Sequence, residues 1–181
     1  MSEIGIFFVI LHPEKNYVKM ALILGKEYCK VDSNGRFKFP VALKRQLETD
    51  DGRFVIRQSI FAECLELWTY ASFREEAEKL QLRLNPYRKE DRDLLRKLTE
   101  GNIVELDSND RLLVPAEQKA LVAQAKEVVL QSTGKFIELW DRKTYDKMNA
   151  NGGDYAAKAE ELLGRMLPLG DNMQHDDERL P

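Results

Sequence analysis

The 181-residue sequence has only two cysteines and two histidines, and each scarcity closes off a class of chemistry. Cys29 and Cys64 lie in separate strand-like runs and match no zinc spacing, so two free thiols in a reducing compartment are expected, with the cytoplasm as location. His12 and His175 stand near opposite ends, which leaves no histidine-based triad or metal centre to assemble. None of the ten glycines forms a glycine-rich phosphate loop. The longest apolar run, Ile4 to Leu11, is far shorter than the roughly 20 residues that cross a bilayer. Glu3, Lys15 and Lys19 also make it a poor signal peptide. The expectation is therefore a non-enzyme with no catalytic residue, cofactor, metal, small-molecule substrate or membrane partner. Charge of one sign is lacking too: 28 Lys and Arg face 31 Asp and Glu, a net −3. With 43% hydrophobic and 33% charged residues, the chain reads as a soluble globular protein of one domain, or of two small units sharing a core.

What the sequence does have is a repeat. Val31-Asp32-Ser33-Asn34-Gly35-Arg36-Phe37-Lys38-Phe39-Pro40 returns as Leu106-Asp107-Ser108-Asn109-Asp110-Arg111-Leu112-Leu113-Val114-Pro115, at an offset of 75. Further on, Leu65-Glu66-Leu67-Trp68 returns as Ile137-Glu138-Leu139-Trp140 at an offset of 72. Asp, Ser, Asn, Arg and Pro followed by Glu-Leu-Trp, twice in one order, marks an internal duplication.

Each copy reads as four short strands and a helix. In the first, strands at 27–31 and 36–39 flank Asp32-Ser33-Asn34-Gly35, where Asn-Gly signals a hairpin turn because both residues accept positive φ. Pro40 opens a short helix with Leu43 and Leu47 on one face, and strands follow at 54–58 and 64–68. The second copy predicts strands at 103–106, 112–114, 127–131 and 136–140, with a helix over 116–124. Between the copies, Ser72-Phe73-Arg74-Glu75 fits a capping box for a helix that stops at Asn85-Pro86. A second connector helix is expected over 89–98, ending at Gly101. The division is an N-terminal extension at 1–23, unit one at 24–70, a helical connector at 71–100, unit two at 101–145, and a C-terminal helix with an acidic tail at 146–181. Asp154 and Gly164 suit the ends of that last helix, and 174–181 reads as a disordered tail.

The duplicated Asp-x-x-x-Arg turn with Pro four residues beyond each Arg, together with Leu65-Glu66-Leu67-Trp68 and Leu84-Asn85-Pro86-Tyr87, resembles the MraZ family of bacterial transcriptional regulators. The resemblance runs from about Leu24 to Tyr145. It implies an α+β fold of tandem AbrB-like units (double-psi, swapped-hairpin β units) joined by a helical connector. It also implies a sequence-specific protein of the cytoplasm and nucleoid that partners double-stranded DNA at short promoter repeats upstream of its own division and cell-wall gene cluster. Family members assemble with themselves as ring-shaped homo-oligomers. By this analogy the Arg of each signature reaches DNA, while Asp32, Asn34, Gly35 and Asp107 organise the turns. Three departures stand out. Asp110 replaces the usual Gly, Met20-Ala21-Leu22-Ile23-Leu24-Gly25 looks like a family N-terminus so that translation is expected to start at Met20, and the tail is acidic.

Charge is segregated along the chain. From Lys26 to Leu47 six basic residues face two acids, whereas from Gly101 to Val122 two basic residues face four acids. The candidate DNA contacts are accordingly Arg36, Lys30, Lys38, Lys44 and Arg45 from unit one and Arg111 from unit two, with unit one expected to do most of the reading. Arg36 suits a phosphate contact or bidentate reading of guanine O6 and N7; the alternative is an ordinary turn salt bridge to Asp32. Lys30, Lys38, Lys44 and Arg45 have the alternative of plain solvated positions. Asp110 should weaken any phosphate contact of Arg111. Trp68 and Trp140 are expected as buried anchors rather than base-stacking platforms. The competing class is a non-catalytic ring-forming scaffold, which the acidic second unit and tail would suit.

Overall fold

The computed structural model describes residues 22–47, 52–122, 126–150 and 153–164. The expectations for a start at Met20, for the apolar run at 4–11 and for the tail at 174–181 lie outside these residues. In chain order come β1 (Lys26–Lys30), β2 (Arg36–Lys38), α1 (Val41–Lys44), β3 (Arg53–Gln58), β4 (Leu65–Thr69), α2 (Tyr70–Arg83), α3 (Lys89–Thr99), β5 (Asn102–Glu105), β6 (Arg111–Leu113), β7 (Glu127–Ser132) and β8 (Ile137–Asp141). The fold is α+β, as the resemblance implies.

Six strands form one antiparallel sheet in the order β1-β7-β8-β4-β3-β5, and β2 pairs with β6 as a separate ribbon. The pairings interleave the repeats. β1 of the first copy pairs with β7 of the second, and β5 of the second pairs with β3 of the first. The two flanks of Asp32–Gly35 therefore do not form a ladder with each other: Val31↔Phe37 is an isolated bridge. A turn forms there with positive φ at Gly35 and not at Asn34, and its arms exchange partners with the other copy.

Register reveals the symmetry behind the exchange. Glu66 pairs with Glu138 between Leu65↔Leu139 and Leu67↔Ile137; the offset of 72 carries Glu66 onto its own partner and exchanges the two flanking pairs. Phe37 pairs with Leu112 between Arg36↔Leu113 and Lys38↔Arg111, now by the offset of 75. A pseudo-twofold axis thus passes through both central pairs.

Period-2 patterning gives the sheet one apolar face. Phe54, Ile56, Leu65, Leu67, Val128, Leu130, Ile137 and Leu139 pack there with Phe37, Phe39, Leu43, Leu112 and Val114 in one buried cluster. Phe37 and Leu112 are 1% and 0% exposed, and burying a side chain of this size stabilises by about 2–3 kcal/mol. The ribbon is therefore the lid of the core, anchored by its central pair. The other sheet face carries Trp68, which stacks on Phe136 with ring centroids 4.5 Å apart and meets the Phe73 edge of α2 at 5.9 Å.

Two local expectations are corrected. The cap of α2 is Thr69, whose hydroxyl oxygen accepts from the Ser72 N–H at 3.1 Å, so the helix begins one turn earlier than the Ser72-x-x-Glu75 box suggested. β4 runs into α2 with no loop between them, which leaves Ser72 already inside the first turn. The helix over 116–124 reduces, among the described residues, to turns at 116–118 and one 3-10 turn at Lys119–Leu121. Buried Val122 leaves helical backbone there (φ −136°, ψ −5°), so tertiary packing overrides helix propensity.

A second unit starts at residue 142. It holds α4 (Arg142–Ala150), with an Arg142–Asp146 pair at 2.7 Å, and α5 (Tyr155–Leu163). Asp154 caps α5 by accepting the Ala157 N–H at 3.0 Å, and Gly164 sits at its C-cap, as read. No described helix is long and apolar enough to cross a membrane.

Candidate nucleic-acid interface

The two signature turns are built alike. Asp32 Oδ1 accepts the backbone N–H groups of Asn34 and Arg36, each at 2.9 Å, and Oδ2 accepts from Arg36 Nε at 3.1 Å. Asp107 Oδ1 accepts from Asn109 (2.8 Å) and Arg111 (2.9 Å), and Oδ2 from Arg111 Nε at 2.9 Å. These bonds hold both carboxyls below the ordinary carboxylate range. The largest cause in each is the Arg backbone N–H, then the Asn N–H and the guanidinium, with desolvation opposing. Each carboxylate thus bonds the backbone of its own turn, and the salt bridge to Arg36 exists as well. It uses only the Nε edge.

What the turn bonds leave over is the outer edge of each guanidinium. With Nε tied back, the terminal nitrogens of both guanidinium groups have no bonded partner among the described residues, and the side chains remain 33% and 35% exposed. Each Asp thus pairs with its Arg through Nε and leaves the two terminal nitrogens clear of the turn.

The ribbon then gathers the cations. Since Phe37 and Leu112 point into the core, their neighbours on β2 and β6 point out. Arg36, Lys38, Arg111 and Leu113 share that outer face, with Lys38 directly opposite Arg111. Like charges opposite one another on a strand pair are unfavourable, and a polyanion lying across them would relieve that repulsion. Backbone bonds from Phe39 N to Asp110 O (2.7 Å) and from Val114 N to Gly35 O (3.2 Å) extend the pairing symmetrically to both turns.

Two lysines cross the pseudo-twofold axis. Lys44 Nζ of the first repeat pairs with Asp110 Oδ1 of the second at 2.5 Å. Its counterpart Lys119, 75 residues on, donates from Nζ to the Asn34 carbonyl at 2.8 Å. The left-handed turn position is Gly35 (φ +81°) in one copy and Asp110 (φ +59°) in the other. Asp tolerates that backbone as read. A Cβ at Gly35 would lie 2.8 Å from Lys119 Cε, so glycine lets the lysine approach. In the other copy the Asp110 carboxylate pairs with Lys44.

The remaining candidates are dispersed. Lys30 and Lys38 line one groove of about 430 Å³ together with Tyr28, Phe39 and Val41. Arg45 is exposed on the 3-10 turn after α1 and lines a different cleft with Leu47, Phe54 and Leu106. Sequence reasoning missed Lys119, although its offset from Lys44 was the available signal. Trp68 and Trp140 are both 3% exposed, so neither offers a stacking platform. Cys29 and Cys64 are free thiols, and burial pushes them up to about 11 and about 12.

The family model described as "MraZ protein, putative antitoxin-like" matches residues 98–166. A transcriptional regulator MraZ of Flavobacterium psychrophilum is 37% identical over 150 residues, covering 81% of this chain and 95% of that relative. One of Christiangramia forsetii is 36% identical over 149 residues, with 80% and 95% covered. One of Mycoplasmoides gallisepticum is 31% identical over 143 residues, with 78% and 97% covered.

Proposed function

From the premise that this chain belongs to the MraZ family, we propose that it is a DNA-binding transcriptional regulator whose β2/β6 ribbon enters the major groove at promoter repeats. The carrying observation is the ribbon's outer face, where Arg36, Lys38 and Arg111 stand over a buried Phe37–Leu112 pair. The major groove of B-DNA admits a two-stranded β-ribbon, and its floor offers guanine O6 and N7 to an Arg fork. Arg36 and Arg111, each free at its two terminal nitrogens, supply that fork twice. Lys38, with Lys30 in the adjoining groove, contacts phosphate. Because the two signatures share one surface, the repeats read DNA jointly, which replaces the division of labour that charge along the chain suggested.

Several such ribbons in a homo-oligomeric ring would grip tandem repeats by avidity. Support for self-association comes from the sheet edges, where Tyr28 on β1 and Ile103 on β5 are 43% and 59% exposed.

The test is a titration against double-stranded DNA from upstream of the chain's own gene, at several salt concentrations, beside a shuffled duplex. Two or three phosphates per subunit over three engaged subunits give a salt slope of about −5 to −8. Arg36→Ala and Arg111→Ala should each lose the preference for native over shuffled DNA. Sedimentation of the same samples reads the assembly. An assembled wild type with no preference for its own upstream DNA would refute the regulator and favour the non-catalytic scaffold.

A further inference from the structure

The ribbon is symmetric in its arginines and asymmetric in its other two outward residues. Under the pseudo-twofold axis Arg36 maps onto Arg111, and both are held by the same Nε–carboxylate bond, at 3.1 and 2.9 Å. Lys38 maps onto Leu113. Leu113 is 47% exposed, and it stands directly opposite Arg36 on a face otherwise made of cations. A single exposed leucine needs no explanation in general. This one occupies the place of a lysine on the surface that meets DNA, so it meets whatever apolar feature DNA offers there. The floor of the major groove has one, the C5-methyl of thymine.

We propose that Leu113 is a specificity-determining residue that packs on a thymine methyl beside the position Arg36 contacts, and that the Lys38/Leu113 difference gives each ribbon a direction on its site. The inference rests on the ribbon's entering the major groove. A perfectly symmetric ribbon would bind equally well after rotation about its axis. With Lys38 at one end and Leu113 at the other, the rotated pose sets an ammonium against the methyl and a leucine against the phosphate, so one pose is favoured.

Deoxyuridine lacks only that methyl, so the test compares the same upstream duplex carrying thymine or deoxyuridine throughout. Burying one methyl-sized group is worth about fourfold in affinity, so the wild type should lose about fourfold per engaged subunit on the uridine duplex, or about 60-fold where three engage. Leu113→Ser should bind both duplexes equally. Leu113→Lys should lose the thymine preference and steepen the salt slope by about one per engaged subunit, because the new ammonium faces phosphate. Equal affinity of the wild type for both duplexes, with strong preference over shuffled DNA, overturns the role of Leu113 and leaves the regulator reading intact. No preference of the wild type for its own thymine-containing DNA overturns the regulator reading itself. The thymine–uridine comparison uses the unaltered chain, so it holds whether or not Leu113→Ser folds.

Discussion

Replacing Arg57 by Met should be among the most damaging single changes in the molecule, although the residue lies away from the ribbon. Glu66, 3% exposed on β4, accepts three bonds on Oε2: Arg57 Nε at 2.7 Å, Arg57 Nη2 at 2.6 Å and Trp68 Nε1 at 3.0 Å. Arg57 Nη1 also donates to the Leu98 carbonyl in the last turn of α3, tying the connector to the sheet. Arg57→Met leaves a buried carboxylate with only an indole N–H and strips the Leu98 carbonyl of its donor. Breaking one side of a buried pair costs about 3–5 kcal/mol. At roughly 2–4 °C per kcal/mol for a chain of this size, the melting temperature should fall by about 6–20 °C. The double variant Arg57→Met/Glu66→Leu removes the stranded charge and should recover most of that loss, giving a coupling of about 2–4 kcal/mol. Urea unfolding followed by circular dichroism, at one fixed protomer concentration, measures both. A single variant within 1 kcal/mol of wild type, or a double variant as unstable as the summed singles, would refute the reasoning. The second repeat supplies an internal control, because Gln131 stands opposite Glu138 where Arg57 stands opposite Glu66. Glu138 is only half-buried and bonds the Trp140 indole at 2.9 Å, so it can do without a cation.

Gly35→Ala forces a Cβ into left-handed backbone and against Lys119, and should cost about 1–2 kcal/mol by urea unfolding; Asp110→Gly, which relaxes the backbone but loses an exposed pair, should stay within about 1 kcal/mol of wild type. Asp32 and Asp107 have carboxyl pKa values lowered from 3.8, so the stability they add is fully present above that value and is lost as pH falls through their lower folded values. Asp32→Asn/Asp107→Asn, which keeps the oxygen that accepts the turn N–H groups but loses the acceptor for each Arg Nε, should flatten the acid limb of stability against pH, and an unchanged limb would contradict the assignment. With Cys29 pushed up to about 11 from 9.0, its thiolate fraction at pH 8 falls about a hundredfold, and iodoacetamide should label the folded protein that much more slowly than the urea-unfolded chain. Labelling of the folded protein as fast as the unfolded chain would show that this half-buried thiol is not desolvated.

The duplication, the turn chemistry and the strand positions were legible because each depends on short-range rules. Asp32 accepts from residues two and four along, and Gly35 supplies positive φ, whatever the rest of the chain does. Strand pairing depends on the whole molecule, and that is where local reading fell short. The alternation of Arg36, Phe37 and Lys38 says that Phe37 faces inward, but not that its partner is Leu112, 75 residues away. The opposition of Lys38 to Arg111, on which the candidate interface rests, exists only in that pairing. Local charge counts also fell short. Adjacency alone sets Asp110 beside Arg111 and does not show that Lys44 from the other repeat takes up its carboxylate. The helix expected at 116–124 failed for a related reason, since Val122 is drawn into a core that propensity cannot see.

Joining the two copies in one chain explains why they were free to diverge. A swapped pair of identical hairpins must place the same residue on both sides of its axis, so any change there is made twice. Here Phe37 faces Leu112 at the ribbon's centre, where two phenylalanines or two leucines would change the volume of a cluster whose members are almost wholly buried. Gly35 can admit Lys119 while Asp110 draws in Lys44, two solutions to one crossing that identical copies could not combine. Arg57 can neutralise the deeply buried Glu66 while an uncharged Gln131 stands opposite the half-buried Glu138. The same freedom reaches the outer face, where Lys38 and Leu113 differ and the arginines do not. A symmetric dimer binds a palindrome most simply, because both halves present the same groups. A fused and partly diverged ribbon is suited to an asymmetric site, and repeats of such a site in one direction are what a ring of like-oriented subunits can follow.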